Sequence, residues 1–194
     1  KDPAGYMVYE VFKKIHPKTK KEEVVERSLL YNEILSDSLA KFFQFEQAFN
    51  EVSKGEAEAK AYFLVKRKLF LNARALSDNR VENLLMFHQI SPEIASGELS
   101  SDFDEISELS GISLQLKHGD FQPSRDHDHF EFMPDHVFHQ RGTAEWKEDI
   151  DRFYKELKGV DQDELRAKYL QICKQLTFYG YKMIPAKHTS TWNM

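Results

Sequence analysis

The stretch 151–186, DRFYKELKGVDQDELRAKYLQICKQLTFYGYKMIPA, constrains the fold more than any other part of the chain. Ile150, Phe153, Tyr154 and Leu157 recur at helical spacing, and Gly159 follows where such a helix would stop. Asp161 is then placed to cap a second helix, with Glu164 three residues on, as a capping box requires. Leu165, Tyr169, Ile172, Cys173 and Leu176 share one face of that helix, and Gly180 is suited to a left-handed terminating conformation. Residues 181–184 are short, apolar and strand-like before Pro185 breaks the run. Two capped helices thus end in a tyrosine–glycine turn that swings into an extended segment.

Upstream, residues 6–12 (YMVYEVF) are rich in strand formers and apolar on both faces apart from Glu10, which predicts a well-buried strand. The charged segment 13–23 contains Pro17 and reads as a loop or hairpin connection. A helix is expected over about residues 36–52, with Leu35, Leu39, Phe42 and Phe49 along one stripe. Residues 55–60 read as a loop and 61–71 (AYFLVKRKLFL) as a strand. Past Asn72 helix formers take over, so a lobe boundary is placed near Ala75.

Asp78 or Asn79 can cap the next helix, which carries Val81, Leu84, Leu85, His88 and Ile94, is expected to bend at Pro92 and ends at Gly97. Another runs from about Asp102 with Phe103, Ile106 and Leu109 inward; Gly111 within it costs about 1 kcal/mol relative to alanine. Residues 119–132 read as a polar loop, and a short helical turn is expected over 134–140. Strands with one helix, followed by helices alone, give an α+β unit and an all-α unit, not a wound parallel sheet.

The totals agree with a folded chain. Its 194 residues are 41% hydrophobic and include 15 Phe and 8 Tyr, enough for a core. A formal charge of −5 argues against general nucleic-acid binding. One cysteine forms no intrachain disulfide, which favours a reducing cytosolic compartment. No run approaches the roughly 20 apolar residues that cross a bilayer.

Lys155-Glu156-Leu157-Lys158-Gly159, the acidic cap at Asp161 and the Tyr179-Gly180 turn resemble the end of the helical middle lobe of FERM domains. Glu93-Ile94-Ala95-Ser96-Gly97 resembles the end of that lobe's first helix. The run from Gly119-Asp120-Phe121 through Pro123 to His127 resembles the exit of its second, with Phe for Tyr and the histidine displaced by one position. Residues 62–71 (YFLVKRKLFL) resemble the last strand of a ubiquitin-like first lobe, and YMVYEV with VERSLLYNEILSDSLAKF its preceding strand and helix.

The resemblance implies a ubiquitin-like β-grasp portion over residues 1–74. An acyl-CoA-binding-protein-like helical bundle over 75–186 follows, with an exit toward a third, pleckstrin-like lobe at 187–194. A complete first lobe would carry a further hairpin and helix before Lys1. Among FERM domains, those of unconventional myosin tails rank first and talin-like adhesion adaptors second.

The implied role is non-enzymatic docking without a cofactor. Cytoplasmic tails of membrane proteins, cargo adaptors or phosphoinositides would be held while adjoining regions engage the actin cytoskeleton at the membrane cortex. A small-ligand binder for acyl-CoA is the rival reading.

Two clusters compete as sites. Lys13, Lys14, Lys18, Lys20 and Lys21, with Lys66, Arg67 and Lys68, could form one positive face for anionic lipid or acidic tails, each cation contributing roughly 1 kcal/mol near an anionic leaflet. A solvated loop partly neutralised by Glu22 and Glu23 is the plainer alternative. Asp126, His127, Asp128 and His129, with His118, His136 and His139, carry metal-ligating groups. Nothing in their spacing shows the fixed support that metal ligands need, so an exposed polar loop is preferred. Cys173 reads as a buried small hydrophobe and His88 as a core or boundary residue. Phe42, Phe43, Phe45 and Phe49 are too broad for one helix face; most of the set is read as core, and one ring could be exposed at a seam or partner groove.

Overall fold

A computed structural model describes residues 5–15, 19, 21–53, 58–67, 78–99, 101–123 and 128–180. The chain divides into two compact units, Lys1–Phe70 and Leu71–Met194.

In the first unit, β1 (Tyr6–Ile15) pairs antiparallel with both β2 (Glu22–Ser28) and β3 (Glu58–Arg67), giving the order β2-β1-β3. The helix α1 (Leu35–Ser53) connects β2 to β3 in sequence and packs on one sheet face. Strand alternation sends Phe12 to that face, where its ring meets Phe42 and Phe45 edge-on at 5.2 and 5.1 Å. Phe63 lies opposite Glu10 and reaches Phe42 at 4.8 Å. Aromatic pairs of this kind add about 0.5–1.5 kcal/mol each beyond area burial.

Glu10 sits in this layer with only 2% of its surface exposed. Burial alone would raise its carboxyl. Hydrogen bonds from Ser38 and Arg27 and the charges of Arg27 and Lys41 outweigh that and hold it below the usual carboxylate range.

Three expectations change here. Lys13–Ile15 and Glu22–Glu23 are strand residues, not loop: Lys13 pairs with Glu22 at 2.7 Å, and Lys14 lies over the Phe45 and Phe49 rings. β3 begins at Glu58, earlier than the predicted 61, and residues 68–71 lie outside the described residues. The inner stripe of α1 is Ser38, Phe42, Phe45 and Phe49, whereas Leu35 and Leu39 face solvent.

The second unit is helical: α2 (Arg80–Ser96), α3 (Phe103–His118), α4 (Asp135–Phe138), α5 (Thr143–Glu156) and α6 (Gln162–Cys173). Asn79 caps α2 by accepting from the Val81 N–H at 3.0 Å, and α2 continues through Pro92 to Gly97 at φ 77°. The left-handed φ is what favours glycine at Gly97; a Cβ there would meet only the exposed His136 ring, which can turn aside. α3 carries the reciprocal capping box, Asp102 with Glu105. At α6, by contrast, Asp161 accepts from the Asp163 N–H at 2.8 Å, one residue short of the box register expected with Glu164.

α3 runs unbroken through Gly111 because the glycine is what lets α5 approach. A Cβ there would stand 3.1 Å from both Phe153 Cβ and the Tyr154 nitrogen. α3 packs against α5 and α6, and α2 against α6. Ile106, Leu114, Met133, Val137, Trp146, Ile150 and Tyr154 form one buried cluster. The loop expected to be polar contributes Phe121, Phe130 and Phe132 to it.

Its exit is pinned by polar contacts. The Tyr154 hydroxyl donates to Gly119 O at 2.7 Å, while Asp120 Oδ1 accepts from Gln115 Nε2 at 2.7 Å and the Gly159 N–H at 2.8 Å. These bonds hold the Asp120 carboxyl below its ordinary range, Gly159 contributing most. After α6 the chain turns to Gly180 at φ 79°; the strand expected at 181–184 lies outside the described residues.

Candidate docking surfaces

Period-2 geometry decides where the basic residues go. Lys13 and Lys66 share the sheet face away from α1: Lys66 lies 5.6 Å from the Tyr9 ring centroid and pairs with Glu26 at 2.6 Å. Lys14 and Arg67 take the other face, Lys14 over Phe45 and Phe49 and Arg67 6.0 Å from the Tyr6 ring centroid. Lys21 is exposed beside the turn, its N–H donating to Thr19 Oγ1 at 3.4 Å. Lys18, Lys20 and Lys68 lie outside the described residues. Of the eight cations, then, Lys13 and Lys66 are brought to one face, each with a carboxylate beside it, and Lys14 and Arg67 are turned to the opposite one. Ion pairs this exposed are worth about 0–1 kcal/mol, so a multivalent anion can displace those carboxylates cheaply.

The histidines do not converge. His129 Nε2 meets Asp151 Oδ1 at 3.0 Å, whereas His118 Nε2 is 3.9 Å from Glu131 Oε2. Asp128 accepts from the Phe130 N–H at 2.9 Å, and His136 and His139 are exposed at α4. Asp126 and His127 lie outside the described residues, among which no group of three or more His, Cys, Asp or Glu side chains could hold a metal ion.

His88, read from sequence as core or boundary, is exposed, because α2 buries Met86, Ile90 and Ile94. Phe103, expected inward, is 39% exposed; its ring meets Trp146 edge-on and carries the Arg141 guanidinium. Burial pushes the Cys173 thiol up, beyond any range where a thiolate nucleophile would form. Tyr169 is raised for the same first reason, with Cys173 adding to it.

Sequence reasoning missed an exposed apolar ridge. Leu35, Leu39 and Phe43 follow at i, i+4 and i+8 on α1, with Leu30, Tyr31 and Ile34 leading into it, all solvent-facing. Phe43, at 71% exposure, is the outward member of the phenylalanine set. The signal was present in the spacing, but the residues of the two apolar faces of α1 interleave.

Comparison with known proteins places this architecture. The FERM central domain pattern matches residues 74–183, more than half of the chain, and the chain belongs to the FERM family. Over 103 residues it is 31% identical to Band 4.1-like protein 2 of Mus musculus, covering 51% of this chain and 10% of that one. Over 138 residues it is 24% identical to Talin-A of Dictyostelium discoideum, covering 69% and 5%. FERM domain-containing protein B of the same organism is 27% identical over 109 residues, covering 54% and 23%. The chain thus spans less than a quarter of the length of each of these relatives.

Among solved structures, the human Myosin 7b C-terminal MyTH4-FERM domain in complex with harmonin-a PDZ3 aligns with TM-score 0.61 at 16% identity, covering 93% of this chain and 35% of that one. The Drosophila Merlin FERM and C-terminal domain complex aligns with TM-score 0.60 at 18% identity, covering 88% and 53%. At such identities the likeness shows the fold, a mixed α+β arrangement of FERM lobes. FERM domains are protein-interaction modules. No helix among the described residues is long and apolar enough to cross a membrane.

Proposed function

We propose that this chain is a non-enzymatic docking module of a cytoskeleton-linked protein at the membrane cortex. It would hold cytoplasmic tails of membrane proteins or cargo adaptors, with phosphoinositide headgroups as anionic partners. The observation carrying this reading is the FERM central domain match over residues 74–183. Residues 1–74 are read as the latter part of a ubiquitin-like lobe, 75–186 as the helical middle lobe and 187–194 as an exit toward a third. The β-β-α-β order with β1 central supports the first assignment.

Within the family, the myosin-tail reading is the finer proposal, supported by the alignment to the myosin 7b structure over 93% of this chain. The Talin-A match, which reaches 69% of this chain, supports the adhesion-adaptor alternative.

The test sets docking against ligand carriage. The folded chain is titrated with an array of cytoplasmic tails from single-span membrane proteins, and separately with a long-chain acyl-CoA in a thermal-shift assay. Saturable binding of a subset of tails, with Kd on the order of 1 μM (about −8 kcal/mol), and no acyl-CoA shift are expected. Silence across the tails together with a saturable acyl-CoA shift would replace docking by the carrier reading.

A further inference from the structure

We propose that Tyr31 is a phosphorylation site, taking the γ-phosphoryl group of ATP from a protein tyrosine kinase. Its side chain is 103% exposed, meaning that the whole phenol stands in solvent. It has no hydrogen-bond or ring partner among the described residues. The other described tyrosines are built into the fold. Tyr154, Tyr169 and Tyr179 are buried, Tyr6 and Tyr9 lie partly covered beneath Arg67 and Lys66, and Tyr62 is held within β3 at 41% exposure.

Tyr31 also sits at the corner of a braced turn between β2 and α1. The Glu33 N–H donates to Leu30 O at 3.0 Å, and the Leu30 N–H donates to Glu33 Oε2 at 2.6 Å. Arg27 Nη1 donates to Glu33 Oε1 at 2.6 Å and ties the turn to the Glu10 cluster. Both oxygens of Glu33 are therefore engaged in the brace, and the neighbouring Leu30 and Ile34 side chains are themselves exposed. A kinase can close around the phenol and its flanking residues without opening a core.

The chemistry adds one bond and breaks one. Tyr31 Oη attacks the γ-phosphorus of ATP, the bond to the bridging oxygen breaks, ADP leaves, and the phenolic proton passes to the kinase's catalytic carboxylate. The product carries about −1.5 to −2 charge at the head of the Leu35, Leu39 and Phe43 ridge, converting one end of an apolar surface into an anionic one. Tyr31 has no packing contact to lose on modification.

The folded chain is incubated with MgATP and the catalytic domain of a non-receptor tyrosine kinase, and phosphate is mapped by peptide mass spectrometry over time. Tyr31 is expected to fill first, at least about tenfold faster than Tyr6, Tyr9, Tyr62, Tyr154, Tyr169 or Tyr179, whose packed rings require local opening. Tyr31→Phe should remove that early incorporation, with the far-UV circular dichroism unchanged. Earlier filling of any of those six tyrosines overturns the assignment. So does a folded chain in which Tyr31 stays unmodified, whether or not a free peptide spanning residues 26–37 is phosphorylated.

Discussion

Glu10 shows what a single residue decides. It interrupts an otherwise apolar strand, and the fold surrounds its carboxylate with Arg27, Lys41 and Ser38. A carboxyl held below its unfolded value of about 4.3 contributes its full share of stability above that pH and loses it as pH falls through the lowered folded value. Acid titration of the folded chain should therefore show destabilisation below about pH 4.3, and Glu10→Gln should flatten that slope while lowering the midpoint at neutral pH. An unaltered acid slope in the variant, followed by circular dichroism, would remove Glu10 from the account. The sequence marks Glu10 as the odd residue in YMVYEVF, but its partners come from segments 17 and 31 residues away. Gly111 is similar: its helix penalty is readable locally, and its purpose appears only once Phe153 and Tyr154 stand against it.

At the scale of elements, helices were legible and their phases less so. The residues ending α5, capping α6 and turning at Gly180 were readable because each depends on a neighbour within four positions. Which face of α1 or α2 turns inward is a tertiary matter, and Leu35, Leu39 and His88 differ from the expectation. The charged stretch after Phe12 reads as loop for its charge density and Pro17; in the fold Lys13 pairs with Glu22 of β2, and α1 supplies the rings beneath Lys14.

The loop after α3 was misjudged as merely polar, because its function is to close the core with three phenylalanines and latch onto the α5–α6 turn. That latch predicts a local effect. Asp120→Ala should speed hydrogen exchange of the Gly159 amide about tenfold while Asn79-capped α2 exchanges as before. Tyr154→Phe, which forfeits the bond to Gly119 O, should cost about 1 kcal/mol in denaturant unfolding. Equal acceleration throughout the helical unit would mean that Asp120 supports global stability and no latch exists.

For the whole molecule, family membership rests on the FERM central domain match over residues 74–183, and three of the short motifs within it have a physical cause. Gly97 and Gly180 take left-handed turns, and Asp120 accepts from Gly159. These residues build the scaffold and leave recognition to its surfaces. Function was less legible than fold, since strand alternation divides a cluster of cations that looks continuous in sequence.

The proposed docking to anionic partners is tested most directly by cosedimentation of the folded chain with phosphatidylcholine vesicles, with and without phosphatidylinositol 4,5-bisphosphate. Binding is expected only with the anionic lipid. The Lys18→Glu, Lys20→Glu, Lys21→Glu variant should bind on the order of a hundredfold more weakly, at roughly 1 kcal/mol for each cation lost. Equal sedimentation of variant and parent, or binding indifferent to the anionic lipid, would contradict the account.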